Sequence, residues 1–202
     1  MPVYQRDTLA EKLSWLEIDD FETFVLDATD ESRAREIHPS ATRECVIVLS
    51  GTVLAEFKHG IVTLLRKNWL DVPADGLKLS VIQTTGGNCT AEVMRIAGHW
   101  EETTVLGMFQ ARRDKGVELH YHDADEYWLF YRGRGRGQSE GVEYDVESGD
   151  LLATQMGYEH EMFESSGVVE AVALETTLRG QKRPGHLHHE EHGDPVPPGG
   201  AK

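Results

Sequence analysis

His120-Tyr-His122-Asp-Ala-Asp-Glu126-Tyr-Trp-Leu-Phe-Tyr-Arg132 is the stretch on which the fold turns, and His160 follows 34 residues after Glu126. Successive side chains of a β-strand alternate between faces, so residues of equal parity share a face. His120, His122 and Glu126 have equal parity, and the aromatic run that begins at Glu126 reads as strand. His160 is expected from a second strand, reached after the glycine-rich stretch Gly133 to Gly149. Three imidazoles and one carboxylate gathered on an octahedral cation leave about two open positions, where substrate chemistry takes place.

In its wider frame the stretch reads Gly116, His120-x-His122, Glu126 and Gly133, then fifteen residues, then Gly149, Gly157 and His160. This closely resembles the two paired motifs of the cupin superfamily, a small barrel of antiparallel strands. The resemblance implies that His120, His122, Glu126 and His160 ligate one divalent ion, whether iron, manganese, nickel or zinc. It also implies self-association as a homodimer. Two departures stand out. The family's proline two residues before the second-motif glycine is Gln155 here, and its closing asparagine is absent after His160. Both bear on loop shape more than on ligation.

The motif recurs in weakened form. Subtracting 82 carries His120, His122, Glu126 and Gly133 onto His38, Ser40, Glu44 and Gly51. The second motif falls on Lys67 to Lys78, with Pro73 restoring the proline and Lys78 in the place of His160. An ammonium at a ligand position repels a metal ion, so the first copy is expected to be a metal-free, structural barrel. With the motif present twice, the resemblance implies an all-β fold class: two tandem cupin (double-stranded β-helix, jelly-roll) barrels. The expected divisions are a 1–19 extension, a degenerate barrel over 20–91, a metal-binding barrel over 92–179 and an extended tail over 180–202. Within the extension, the stretch from Thr8 to Glu17 is expected to form a short helix with Leu9, Leu13 and Leu16 on one face.

Composition narrows the partners. A net charge of −15 argues against nucleic acid, whose binding needs clustered Lys and Arg to neutralise phosphates. No apolar run approaches the length of a membrane span. The N-terminus lacks the basic and apolar regions of a signal peptide, so a cytoplasmic location is expected. Two cysteines, Cys45 and Cys89, fit a reducing compartment, and Cys45 reads as packing rather than as a nucleophile.

The barrel wall near the metal is expected to include Trp128 and Phe130, which share parity with Glu126, and Met162, which shares parity with His160. Tyr158, two residues before His160, is a candidate proton donor. Gln110 and Arg112 are candidate substrate ligands on the preceding strand. Arg134, within Arg132-Gly-Arg134-Gly-Arg136, is either a solvated, carboxylate-paired arginine or part of a guanidinium fork gripping an anionic substrate. The tail carries His186, His188, His189 and His192 on a Pro- and Gly-rich arm that offers no rigid metal geometry. Three functions fit a small polar substrate. A sugar or sugar-acid isomerase or epimerase working by metal-assisted proton transfer is placed first, an iron-dependent dioxygenase second and a non-catalytic binding module third.

Overall fold

The computed structural model describes residues 3–82, 89–113 and 115–180. These fall into two compact units: residues 17–99, and the segment up to Leu16 together with the chain from Trp100 onward. Strand β1 (Val3–Gln5) belongs to the second unit. The first unit holds β2 (Ile18–Asp27), β3 (Ala34–Ile37), β4 (Arg43–Ser50), β5 (Thr52–Phe57), β6 (Gly60–Leu65), β7 (Trp69–Asp71), β8 (Leu77–Val81) and β9 (Thr90–Gly98). The second continues with β10 (Glu102–Arg112), β11 (Val117–His120), β12 (Asp125–Arg132), β13 (Arg134–Ser139), β14 (Val142–Glu147), β15 (Asp150–Thr154), β16 (His160–Ser165) and β17 (Val168–Thr177).

Each unit is a pair of antiparallel sheets. The first has the orders β2-β9-β4-β7 and β3-β8-β5-β6. The second has β1-β15-β12-β17-β10 and β11-β16-β13-β14. Adding eight to every strand number of the first unit reproduces the order of the second, with β1 as one extra strand on the edge of β15. In each unit the two sheets share a single core. Val46, Val48 and Val93 meet Val53, Ala55 and Leu79 in the first. Trp128, Phe130 and Ala171 meet Val146 and Met162 in the second.

Hydrophobic patterning explains which strands sit centrally. Cys45-Val-Ile-Val-Leu49 and Tyr127-Trp-Leu-Phe-Tyr131 are unbroken apolar runs, and β4 and β12 are buried on both faces. In the other sheet, β13 alternates arginine with glycine and buries one face only. The turns leaving β4 and β12 are closed by Gly51 and Gly133, with φ of 79° and 82°. A Cβ there would lie 2.5 Å from the Thr90 carbonyl oxygen and 2.2 Å from that of Val168, so only glycine fits both turns.

Several boundaries differ from the sequence expectation. A division after residue 91 would cut β9, which runs to Gly98 paired with β2 and β4, so the first unit ends at His99. The N-terminal segment places β1 against β15 and then makes a 3₁₀ helix over Arg6–Glu11 instead of a longer helix from Thr8. Gln5 is its N-cap residue, and the Thr8 hydroxyl reaches back to accept from the Gln5 amide and donate to the Gln5 carbonyl, both at 2.9 Å. The histidine-rich tail from residue 181 lies outside the described residues. Among the described residues no helix is long and apolar enough to cross a membrane.

Candidate metal centre

His120 ends β11 and His160 begins β16, and the two strands pair these residues directly. Glu126 lies at the start of β12, opposite Thr154 on β15 and Glu175 on β17. His122 sits between β11 and β12, outside any strand, so strand parity alone does not place it. Two hydrogen bonds hold that connection. The Gly157 amide donates to the His122 carbonyl at 2.8 Å, and the Met156 amide donates to Asp125 Oδ1 at 2.7 Å.

The four side chains converge. One donor atom from each of His120, His122, Glu126 and His160 lies within 4.8 Å of all the others, and all four residues are buried. His122 Nε2 is 2.9 Å from Glu126 Oε2, which also contacts His160 Nε2. The imidazole rings of His120 and His160 have centroids 4.3 Å apart. Outer contacts fix the orientations. His120 Nδ1 donates to the Glu118 carbonyl at 2.5 Å, and His160 Nδ1 donates to the Tyr158 carbonyl at 3.2 Å. Each bond sets the tautomer that leaves Nε2 free of its proton and turned to the centre. Trp128 Nε1 donates to Glu126 Oε1 at 2.7 Å, leaving Oε2 for the cluster. This donor set fits a divalent ion of the kind that imidazole and carboxylate bind.

Electrostatics favour the ligating protonation states. Burial holds His120 at about 4, with His160 adding to the effect against the Glu118 carbonyl and the Glu126 charge. Burial pushes the Glu126 carboxyl up, but contacts with His122 and His160 outweigh it and keep the group well below its ordinary value. His120 has a consequence for stability. An unfolded imidazole takes up its proton near 6.5 and the folded one only near 4. This contribution is therefore complete above about 6.5 and is lost as pH falls through that window, by about 3 kcal/mol. Urea denaturation of chelator-treated protein at pH 7.5 and 4.5 measures it; equal stabilities would contradict it.

The other nominated residues divide by face. Trp128, Phe130 and Met162 are buried in the core of the second unit, and Trp128 stacks edge-on to His160 at 5.2 Å. Gln110 and Arg112, expected inward, face outward, because β10 turns Phe109 and Ala111 to the core instead. There Gln110 contacts Glu170, which also accepts from Arg132 at 2.6 Å. Arg134 is exposed because Gly135 and Gly137 occupy the inner face of β13. Its neighbour Arg136 pairs with Glu143 at 2.5 Å and Glu164 at 3.4 Å, the carboxylate-paired alternative. Tyr158 is exposed, since β16 begins only at His160 and the tyrosine lies in the preceding turn; its carbonyl, not its phenol, serves His160. Cys45 is buried, and burial pushes its thiol far up, as suits a packing residue.

Sequence reasoning missed Glu175. It is buried on β17 with Oε1 3.8 Å from His122 Nδ1, and its other oxygen is 3.4 Å from the Thr104 hydroxyl. Burial raises its carboxyl pKa. The signal was present as an acidic residue ending the inward series Val169, Ala171, Ala173.

The corresponding place in the first unit holds an arginine. Glu44 faces Ala97 across β4 and β9 where Glu126 faces Glu175, and Arg95 lies two residues before Ala97. Arg95 Nε donates to Glu44 Oε1 at 2.6 Å and its NH2 to Glu44 Oε2 at 3.1 Å and Ser40 Oγ at 2.5 Å. Its NH1 donates to Asp20 Oδ2 at 2.8 Å. The cation beside Glu44 is thus Arg95 and not Lys78, which pairs with Glu36 across β3 and β8 and is exposed. His38 is also exposed, against Glu36.

Comparison with known proteins places the chain. It is 31% identical over 195 residues to the uncharacterized protein y4oW of Sinorhizobium fredii (strain NBRC 101917 / NGR234), across 89% of this chain and 87% of that protein. The chain belongs to the y4oW family. No family model matches it. Among solved structures, Bacillus subtilis oxalate decarboxylase, studied for its Mn(II) centres, superposes with a TM-score of 0.62 at 9% identity, covering 93% of this chain and 74% of that one. AerE from Microcystis aeruginosa gives a TM-score of 0.56 at 11% identity, covering 78% of this chain and 87% of that one. These similarities show the fold alone, the paired antiparallel sheets of each unit.

Proposed function

We propose that the chain is a bicupin whose second unit is a metal-dependent enzyme and whose first unit is a metal-free structural partner. The metal ligands are His120, His122, Glu126 and His160, and the observation that carries the reading is their buried convergence within 4.8 Å. A divalent ion held there supplies Lewis acidity or, if iron, access to dioxygen. The chain's own residues prepare the site. Trp128 fixes Glu126, the Glu118 and Tyr158 carbonyls fix two imidazoles, and Phe109 and Met162 pack in the apolar core that contains Trp128.

Inward arginines and amides would favour a sugar-acid isomerase. Gln110, Arg112 and Arg134 face outward. Among the described residues of this unit, the buried charged side chains apart from histidine are all carboxylates: Glu126, Asp150, Glu170 and Glu175. Of these, Glu126 and Glu175 lie at the cluster, which supports a small neutral substrate over an anion, and a dioxygen-consuming oxidation is the reaction tested first. In the test, protein purified without a histidine tag is loaded with Fe(II), and oxygen uptake is followed with small neutral aromatic and enolic compounds. Sustained uptake with one of them is expected. Equal turnover by the zinc or manganese form under argon would replace the oxygenase with an isomerase. The cupin resemblance also supports a homodimer, which light scattering would report as twice the chain mass.

A further inference from the structure

His120 and His160 each give their Nδ1 proton to a main-chain carbonyl, whereas His122 turns Nδ1 toward the carboxylate of Glu175 at 3.8 Å. That carboxylate is 3% exposed and sits directly across the β12–β17 pairing from Glu126. Its neighbours are the imidazoles of His122 and His160, the Glu126 carboxylate and the Thr104 hydroxyl, and among the described residues no lysine or arginine joins them. Burying an anion in such surroundings is costly unless a positive charge is near. In the first unit the matching location has Arg95, whose charge is met by two carboxylates, Glu44 and Asp20.

From this geometry we infer that Glu175 is the positioning residue of the metal centre. Its carboxylate faces the Nδ1 edge of His122 at 3.8 Å, orients that imidazole by charge and places a second carboxylate beside the cation site. The inference rests on the metal-binding reading above. A carboxylate behind a ligating imidazole raises the basicity of the ligand, and removing such a partner costs about 10–100-fold in metal affinity.

The test compares full-length wild type, Glu175→Gln and Glu170→Gln. Glu170 is a second buried glutamate on β17, but it faces Arg132 and Gln110 on the outer side. Cobalt(II) affinity is measured by chelator competition, the visible spectrum is recorded at saturating cobalt, and thermal stability is measured without metal. Glu175→Gln is expected to bind cobalt about 10–100-fold more weakly, to shift the visible bands, and to be at least as stable as wild type when metal-free. Glu170→Gln is expected to keep wild-type affinity and spectrum. Wild-type affinity and bands in Glu175→Gln would overturn the inference, as would a metal-free variant that is less stable or fails to fold. A wild-type protein that binds no cobalt would overturn the metal-binding reading itself and this inference with it.

Discussion

Arg95→Met is expected to destabilise the protein by about 3–5 kcal/mol, because it removes the guanidinium that pairs with the buried Glu44 carboxylate and with Asp20. The guanidinium makes four hydrogen bonds inside the first unit, three of them to Glu44 and Ser40. Chemical denaturation reads the loss. Adding Glu44→Gln to Arg95→Met removes the stranded anion and is expected to recover much of it. Lys78→Met, which alters the exposed cation first assigned to this place, is expected to stay within about 0.5 kcal/mol of wild type. A small effect of Arg95→Met, or a large one of Lys78→Met, would return the role to the lysine.

His122→Ala is expected to remove metal binding, by more than the roughly 100-fold that loss of an outer partner costs, since it deletes one of four donors. Metal content after dialysis, compared with wild type, is the measurement. Ser40→Ala, at the repeat position of His122, is expected to leave metal content unchanged. It loses the 2.5 Å contact with Arg95, worth about 1 kcal/mol of stability. If Ser40→Ala emptied the protein of metal while His122→Ala did not, the assignment of the two units would be reversed.

Much of the architecture was readable because it depends on short-range rules. Apolar runs at Cys45–Leu49 and Tyr127–Tyr131 mark the strands buried on both faces, and Gly51 and Gly133 mark turns that no larger residue can make. The offset of 82 residues reappears as a repeated strand order. What parity could not supply was the phase of a strand when its centre has no strong apolar alternation. On β10, Phe109 and Ala111 take the core and push Gln110 and Arg112 out. Near His160 the strand begins two residues too late for Tyr158 to obey it. Arg95 and Glu175 were hidden for another reason. Each is a charge on a largely apolar strand whose partner, Glu44 or His122, lies more than 50 positions away, and only the folded register joins them.

The two units differ in where they obtain their positive charge. One carries it on its own chain, as a guanidinium that neither dilution nor a chelator can withdraw. The other, on the metal-binding reading proposed above, takes it from a bound cation, so EDTA is expected to soften only that half. A melting curve recorded during such stripping would separate into one transition that moves and one that stays in place.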